Sequence, residues 1–184
     1  MEQEKQNTLT QEELEQLIRE AEQGDDESQF LLGKYYEEEC EEADIKQVVY
    51  WYTLSAEQGN VKAQHRLGQV IYWSARVAEY DGRVTCYAND AGIEQSYEQA
   101  IYWFTKAAEQ DYPQAQCSLG LFYAEGKGVE LNNEQAEYWW QKAAERGVLD
   151  AIENLEILKK WYTKAAEQGD EKAKEALERL KNNN

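Results

Sequence analysis

The residues of this chain that could carry catalytic or metal chemistry are few and widely separated. One histidine, His65, and three cysteines, Cys40, Cys86 and Cys117, are spread over the 184 residues. Zinc sites and nucleophilic triads need histidines or closely spaced cysteine ligands. No glycine-rich phosphate-binding motif and no GxSxG nucleophile motif occurs. We therefore expect no catalytic, metal or cofactor site and interpret His65 as structural, although 37 acidic residues always supply some carboxylate pairs.

The composition excludes other classes of protein. Acidic residues outnumber basic ones 37 to 19, for a net charge of −18. That balance disfavours nucleic acid, whose phosphates are neutralised by Lys and Arg, and disfavours anionic lipid surfaces. Thirteen Tyr and six Trp are atypical of a disordered acidic segment and indicate a folded domain. With no long apolar run, no signal-peptide pattern and an odd cysteine count, we expect a cytoplasmic monomer.

The negative charge is concentrated at the N-terminal end. Residues 1–44 hold 16 acidic and 3 basic residues, whereas residues 45–184 hold 21 and 16. The densest acidic run, residues 37–44, lacks the spaced Asp, Asn and Gly of a calcium loop. We interpret it as a solvated linker. A docking site for basic groups is the alternative, and its candidate residues are Glu38, Glu39, Glu41 and Glu42.

An internal repeat organises the whole chain. The tetrapeptide Ala-Glu-Gln-Gly occurs at 21–24, 56–59 and 166–169, with near copies at 108–111 and 144–147. An aromatic run precedes the later copies, and an Ala-Gln-x-x-Leu-Gly pattern follows two of them. Apolar residues recur at helical spacing on both sides, and the glycine is typical of a helix end. Each unit is therefore predicted to be a helical hairpin that must stack on its neighbours.

Local signals place the helix ends and the core. Residues with side chains suited to N-caps follow the glycine at Asp25, Asn60 and Asp170, and Pro113 fits a first helical turn. Capping-box spacing occurs at Thr10-x-x-Glu13 and Ser96-x-x-Gln99. We expect the helix backbones to meet at Gly120. Because five of the six tryptophans lie in the first helices of the repeats, we predict that they are mostly core residues.

These motifs closely resemble the Sel1-like repeat, a relative of the tetratricopeptide repeat, over about residues 10–180. The shared pattern runs Ala-x-x-Trp-Tyr-x-Lys-Ala-Ala-Glu-x-Gly, then Ala-x-x-x-Leu-Gly, then Gly-x-Gly-Val. The resemblance implies an all-α, superhelical solenoid of about four to five hairpins, whose first helices line a concave surface. It also implies adaptor or scaffold work through protein–protein contacts, mostly in bacteria.

The chain is predicted to be one solenoid over residues 10–184, preceded by a flexible tail, 1–9. The repeats are assigned to residues 10–43, 44–96, 97–132, 133–158 and 159–182, the last being a polar cap. In the fourth repeat the loop is missing, so residues 149–167 form either one long helix, which we favour, or a very tight turn. An insertion at 73–96 is expected to prolong a helix and then form a loop or short strand.

Two surfaces are candidates for binding. The first surface uses two positions in the first helix of a repeat: the residue just before the central aromatic residue, and the residue one turn after that position. These residues are Tyr50, Thr53, Tyr102, Thr105, Tyr138 and Gln141. They would line the concave face, with tyrosine supplying contact area, or the tyrosines would only pack between repeats. The insertion is either an indifferent loop or a second contact, through Tyr80, Arg83 and Tyr87.

The favoured interpretation is a non-enzymatic adaptor that binds a protein or peptide partner through the concave groove and the insertion. The alternative is a cytoplasmic immunity or inhibitor protein that neutralises a basic toxin such as a nuclease by charge complementarity. An enzyme is considered only because a few secreted, disulfide-rich proteins with similar repeats are linked to hydrolase activity. This chain lacks their paired cysteines and signal.

Overall fold

A computed structural model describes residues 9–38, 45–81 and 96–182, and every regular element in these ranges is an α-helix. The predicted all-α solenoid fold is thereby confirmed. The helices are α1 Gln11–Glu22, α2 Asp26–Glu38, α3 Ile45–Glu57, α4 Val61–Asp81, α5 Tyr97–Glu109, α6 Pro113–Glu125, α7 Asn133–Glu145, α8 Leu149–Glu167 and α9 Glu171–Asn182. None of these helices is long and apolar enough to cross a membrane.

The chain divides into two compact units, Met1–Gln110 and Asp111–Asn184. In the first unit, α1 packs on α2, α2 on α3, α3 on α4 and α4 on α5. The second unit contains α6 to α9, and again consecutive helices make most of the contacts. Packing between sequence neighbours is what stacked helical hairpins require, because a single hairpin cannot cover its own apolar face.

The predicted helix starts are observed. Thr10 and Glu13 form a complete capping box at the start of α1, and the Ser96 hydroxyl accepts a hydrogen bond from the Gln99 backbone N–H. The carboxylate or amide oxygens of the three predicted N-caps accept backbone N–H groups at 2.7–3.1 Å; these caps are Asp25, Asn60 and Asp170. Such caps satisfy N–H groups that the helix itself leaves without partners.

The glycine of the tetrapeptide ends the first helix of each hairpin. Gly59, for example, has φ +99°, which other residues adopt only with strain. Asp111 replaces this glycine in one copy and still adopts φ 59°, while Pro113 occupies the first turn of α6. A short polar side chain tolerates this conformation better than most, so the turn survives the substitution.

The second helices α2, α4 and α6 carry another glycine, which has a different role. A Cβ on Gly33 would lie 2.6 Å from the Tyr52 ring, and one on Gly68 would lie 3.0 Å from the Phe104 ring. A Cβ on Gly120 would collide with the Trp140 indole. The expectation that backbones meet at Gly120 is therefore wrong. An aromatic ring of the following helix fills the space that the missing side chain leaves.

In α3, α5 and α7 the ring on the glycine is the last of the aromatic run and is buried: Tyr52, Phe104 and Trp140. Tyr162, the last of the run in α8, is buried without such a glycine, and Trp51 is buried beside Tyr52. The prediction that the tryptophans are mostly core holds for Trp51 and Trp140 alone. Trp103 and Trp139 are half-buried, and Trp161 is 55% exposed. The residue just before the buried ring points about 100° away around the helix, so it reaches the edge of the core or solvent.

A ladder of glutamines connects successive repeats in the first unit. Gln29 donates to the Ala21 carbonyl at 3.0 Å, and its own side-chain oxygen accepts from Gln58 at 2.8 Å. Gln64 repeats the arrangement one hairpin later: it donates to the Ala56 carbonyl at 3.0 Å and accepts from Gln110 at 2.9 Å. These glutamines therefore add a second donor to helix-end carbonyls that already accept the backbone N–H of Gly24 or Gly59.

Two predicted departures from a regular repeat are observed. Residues 149–167 form one continuous helix, α8, of 19 residues. The first part of the insertion prolongs α4 to Asp81, which gives it 21 residues. Residues 1–8 of the predicted tail, and residues 82–95 of the insertion, lie outside the described residues. The prediction of one solenoid over residues 10–184 stays a prediction.

Candidate functional site

The tyrosines predicted to bind a partner lie at the surface of their helices. Tyr50 on α3 is 54% exposed, Tyr102 on α5 is 51% exposed and Tyr138 on α7 is 46% exposed. Each ring meets the next residue, a tryptophan, in an edge-on arrangement, with centroids 4.9–5.0 Å apart and planes at 72–77°. Because the tryptophan holds the tyrosine ring in place, each helix presents a braced tyrosine to solvent, while Trp51 is buried and Trp103 and Trp139 are half-buried.

Lysines lie over two of these rings. The Lys106 ammonium is 5.7 Å from the centre of the Tyr102 ring. The Lys142 ammonium is 5.4 Å from the Tyr138 ring and 5.7 Å from Trp139. A cation at this distance is attracted by the electron-rich ring face, which shows that these faces suit cationic groups.

The positions one turn further along are less exposed than the tyrosines. Thr53, Thr105 and Gln141 are half-buried, and Gln141 donates to Glu137 at 3.4 Å. The next turn returns to solvent, with three exposed carboxylates: Glu57, Glu109 and Glu145. Along this face, each of these helices therefore exposes a tyrosine ring and, about two turns later, a carboxylate.

The acidic run that follows α2 is only partly described. Glu38 ends the helix, is exposed, and pairs with Lys34 at 3.4 Å. Three further candidate residues, Glu39, Glu41 and Glu42, lie outside the described residues. The insertion candidates Arg83 and Tyr87 also lie outside them, and so does the side chain of Tyr80, whose backbone belongs to α4.

Glu37 does not fit the expectation of a solvated linker. Its carboxylate accepts the Tyr52 hydroxyl at 2.6 Å and the Arg66 guanidinium at 2.8 Å, so it joins α2, α3 and α4. Burial, and then the bond to Glu37, raises the pKa of Tyr52 well above its ordinary value. The phenol therefore stays protonated as a donor. Sequence reasoning missed this link because it grouped Glu37 with the glutamates that follow.

A second buried carboxylate lies in the other unit and was also missed. Glu137 on α7 is 3% exposed, and Arg179 on α9 donates two hydrogen bonds to it, at 3.0 and 3.2 Å. Arg179 also reaches Glu134 at 3.2 Å. The hydrogen bonds to Glu137 raise the pKa of Arg179 above its ordinary value. Since 42 residues separate Glu137 from Arg179, no local pattern in the sequence predicts that they pair.

Two groups that could react, His65 and Cys117, are held in neutral forms. Burial, with a smaller effect of Arg66, lowers the pKa of His65 to about 4, and its ring lies 5.6 Å from Phe104. Burial, with a smaller effect of Asp150, raises the pKa of the free Cys117 thiol to about 11. In the described parts of the chain, no three His, Cys, Asp or Glu side chains group so as to hold a metal ion. The buried His65 ring packs beside Phe104.

Comparison with known proteins identifies the repeat. The family model described as Sel1 repeat matches residues 26–60, 61–112, 113–148 and 159–170, which together exceed half of the chain. The first three matches begin at the second helix of a predicted hairpin, so α1 precedes the first match. No curated protein sequence matches the chain significantly.

Solved structures give the same family. A Sel1 repeat protein from Oxalobacter formigenes is 28% identical, with TM-score 0.61, over 75% of this chain and 94% of that one. A protective antigen of uropathogenic Escherichia coli with an SLR fold is 31% identical, with TM-score 0.63. The match covers 90% of this chain but only 35% of the antigen. Cysteine rich protein B of Helicobacter pylori shares the fold. It is 18% identical, with TM-score 0.53, over 77% of this chain and 91% of that one. The chain therefore belongs to the Sel1 repeat family.

Proposed function

We propose that this chain is a non-enzymatic adaptor that contacts a protein or peptide partner through the exposed aromatic pairs of α3, α5 and α7. Sel1-repeat proteins generally mediate protein–protein interactions, and the family is typically a non-enzymatic interaction scaffold. The observation that carries the proposal is the recurrence of one half-exposed tyrosine, braced by one tryptophan, at the same position of three helices.

Physical chemistry supports this use of tyrosine. A tyrosine buries a large area on binding and loses little rotamer freedom, and a ring already held by its neighbour loses less still. The exposed carboxylates Glu57, Glu109 and Glu145 favour cationic groups on the partner. The insertion would add a second contact through Arg83 and Tyr87, residue types that are enriched at binding hot spots. We place this activity in the cytoplasm.

One experiment tests the aromatic surface directly. A photo-crosslinking amino acid placed at Tyr50, Tyr102 or Tyr138 should trap the same partner from a lysate of the host. The same label at Ile157, which is exposed but belongs to no aromatic pair, serves as the control and should trap none. A partner trapped equally well from Ile157 would contradict a specific surface.

The affinity of the identified partner then measures the contribution of the rings. Replacing Tyr50, Tyr102 and Tyr138 by Ala should weaken binding by at least about tenfold, because hot-spot residues each contribute more than about 1 kcal/mol. Replacing all three by Phe keeps the rings and should change the affinity much less. Unchanged affinity in the folded triple Ala variant would refute the proposal.

A second candidate function is neutralisation of a basic protein such as a nuclease toxin. The observation that favours it is the excess of 16 acidic over 3 basic residues in the first 44 positions. Such a complex should form quickly and lose affinity steeply as salt is raised, because surface charge steers the encounter. Adaptor binding through aromatic rings should depend much less on salt, so a salt titration separates the two functions.

A further inference from the structure

The first helical hairpin carries an open groove that the aromatic surface does not use. It runs between α1 and α2 and has a volume of about 540 Å³. Its floor is apolar, with Leu9, Leu17, Leu31 and Tyr35. Leu17 belongs to a core cluster and Tyr35 packs against it, so the floor is fixed. Leu9 and Leu31 are 41% and 43% exposed, which leaves apolar area available to a partner.

The rim of the groove is acidic. Four glutamates line it, Glu12, Glu13, Glu20 and Glu38, against the single ammonium of Lys34. Lys34 pairs with Glu38 at 3.4 Å. Over the described ranges, no Lys or Arg forms an ion pair with the other three glutamates. The lining therefore has three uncompensated negative charges around an apolar floor.

The shape of the groove defines what fits it. The lining residues of α1 between Glu12 and Glu20 lie along one face, and two antiparallel helices side by side form the kind of groove into which a third helix packs. Eight residue steps span about 12 Å, or a little over two helical turns. The family model begins only at residue 26, so α1 and its half of the groove stand outside the matched repeats.

We propose that the α1–α2 groove binds a basic amphipathic helix of a protein partner. The apolar stripe of that helix would cover Leu9 and Leu31, and the Lys or Arg residues beside the stripe would meet the glutamates of the rim. This inference rests on the proposed interaction function and adds the chemical class of one binding element, at a place separate from the aromatic pairs.

The test uses the full chain and a synthetic probe. The probe is a fluorescent amphipathic helical peptide of about three to four turns, with Leu at helical spacing and Lys on both flanks of that stripe. A peptide with Glu in place of Lys, and a scrambled peptide of the same composition, serve as controls. Fluorescence anisotropy should show binding of the basic amphipathic peptide alone, weakened by salt. Failure of this peptide to bind would overturn the inference.

Matched variants locate the binding. Glu12→Gln with Glu38→Gln, and separately Leu31→Gln, should each weaken peptide binding about tenfold, equal to about 1.4 kcal/mol. The control Glu22→Gln with Glu153→Gln removes the same charge from exposed positions outside the groove, and Ile157→Gln removes an exposed apolar group elsewhere. Both controls should change the affinity less than about twofold. Circular dichroism of every variant verifies its helix content.

The remaining outcomes are equally informative. Equal losses in the groove variants and their controls would mean non-specific charge attraction and would refute the site. A dimer in light scattering that Leu31→Gln converts to monomer would assign the groove to a second copy instead. If groove variants leave peptide binding unchanged while the triple Tyr→Ala variant loses its partner, only this inference fails. If that triple variant keeps its partner, the proposed function fails.

Discussion

The helix pairs α6–α7 and α8–α9 are held together by different contacts. In the first, Gly120 lets the Trp140 indole lie against the backbone of α6, and the indole donates to the Cys117 carbonyl at 3.1 Å. At the equivalent position of α8 stands Glu156, exposed, and the next buried aromatic residue, Tyr162, lies on the same helix.

The last helix is held by other means. Ala173 and Ala176 of α9 lie in the core cluster of the second unit, and Arg179 reaches the buried Glu137. A ring packed on glycine needs a turn between the two helices, since the partners must face each other. Where the turn has been lost, small apolar residues and an ion pair from the terminal helix replace that contact.

The largest effect should come from filling the space at Gly120. Gly120→Ala places a Cβ into the Trp140 indole and should destabilise the protein by about 3 kcal/mol, because an overpacked core must shift backbone or ring. Urea unfolding measures the change. Gly68→Ala is the matched control, since its Cβ would lie 3.0 Å from Phe104 and should cost clearly less. Equal losses in the two variants would contradict the ring-on-glycine explanation.

Removing the Arg179–Glu137 ion pair tests how the last helix, α9, is held. Arg179→Met leaves Glu137 buried without its guanidinium and should lower the free energy of unfolding by about 2 kcal/mol; the partial exposure of Arg179 moderates the cost. Lys174→Met breaks an exposed pair with Glu171 on the same helix and should cost less than about 0.5 kcal/mol. Adding Glu137→Met to Arg179→Met should restore most of the lost stability.

Acid should distinguish two of the three helix pairs that pack a ring on glycine, α4–α5 and α6–α7. His65 lies beside Phe104, whereas Cys117 occupies the equivalent place near Trp140. The pKa of His65 is lowered to about 4 in the folded protein, below the value of about 6.5 in the unfolded chain, so the unfolded state takes up the proton first. Stability should therefore fall by about 2 kcal/mol as pH drops from 6.5 to 4.5.

The variant His65→Gln isolates this contribution. It should show a smaller loss of stability over the same pH range, by the amount that His65 supplies, while the titration of carboxylates remains. Denaturant unfolding at the two pH values measures the difference. An identical pH dependence in the two proteins would show that the imidazole is not protonated preferentially in the unfolded chain.

The smallest effect is expected where the ring contact has been lost. Glu156→Gly restores the repeat glycine inside α8 but brings no ring onto it. The substitution should therefore destabilise by about 1 kcal/mol, the cost of glycine within a helix. Glu156→Ala should be nearly neutral. A gain in stability on Glu156→Gly would mean that the glycine is favourable by itself.

Much of the fold could be predicted from the sequence because repeat motifs and caps act locally. Thr10, Asn60 and Pro113 each indicate a helix start, because the side chain or ring acts on backbone within a few residues. The absence of any breaker around Lys159 correctly predicted that α8 runs on without interruption. These features depend on backbone conformation and hydrogen bonding within one or two turns.

What the sequence did not reveal depends on contacts between helices. Three consecutive aromatic residues point about 100° apart around a helix, and the glycine of the neighbouring helix shows which direction faces it, that of Tyr52, Phe104 or Trp140. The Glu137–Arg179 pair and the bonds of Glu37 join residues far apart in the chain. For the candidate surface, the repeat spacing in the sequence located Tyr50, Tyr102 and Tyr138. How far each ring is exposed depends on how the neighbouring helices pack.

The continuity of α8 has a mechanical consequence. Stacked repeats under tension come apart from their ends, and each loop between helices offers a point where the process can stop. Within residues 149–167 there is no such point, because the second helix of one repeat and the first helix of the next share one hydrogen-bonded ladder. A force applied to the C-terminus should therefore extend α8 and α9 in a single step longer than that of a regular hairpin, and optical tweezers can measure this step.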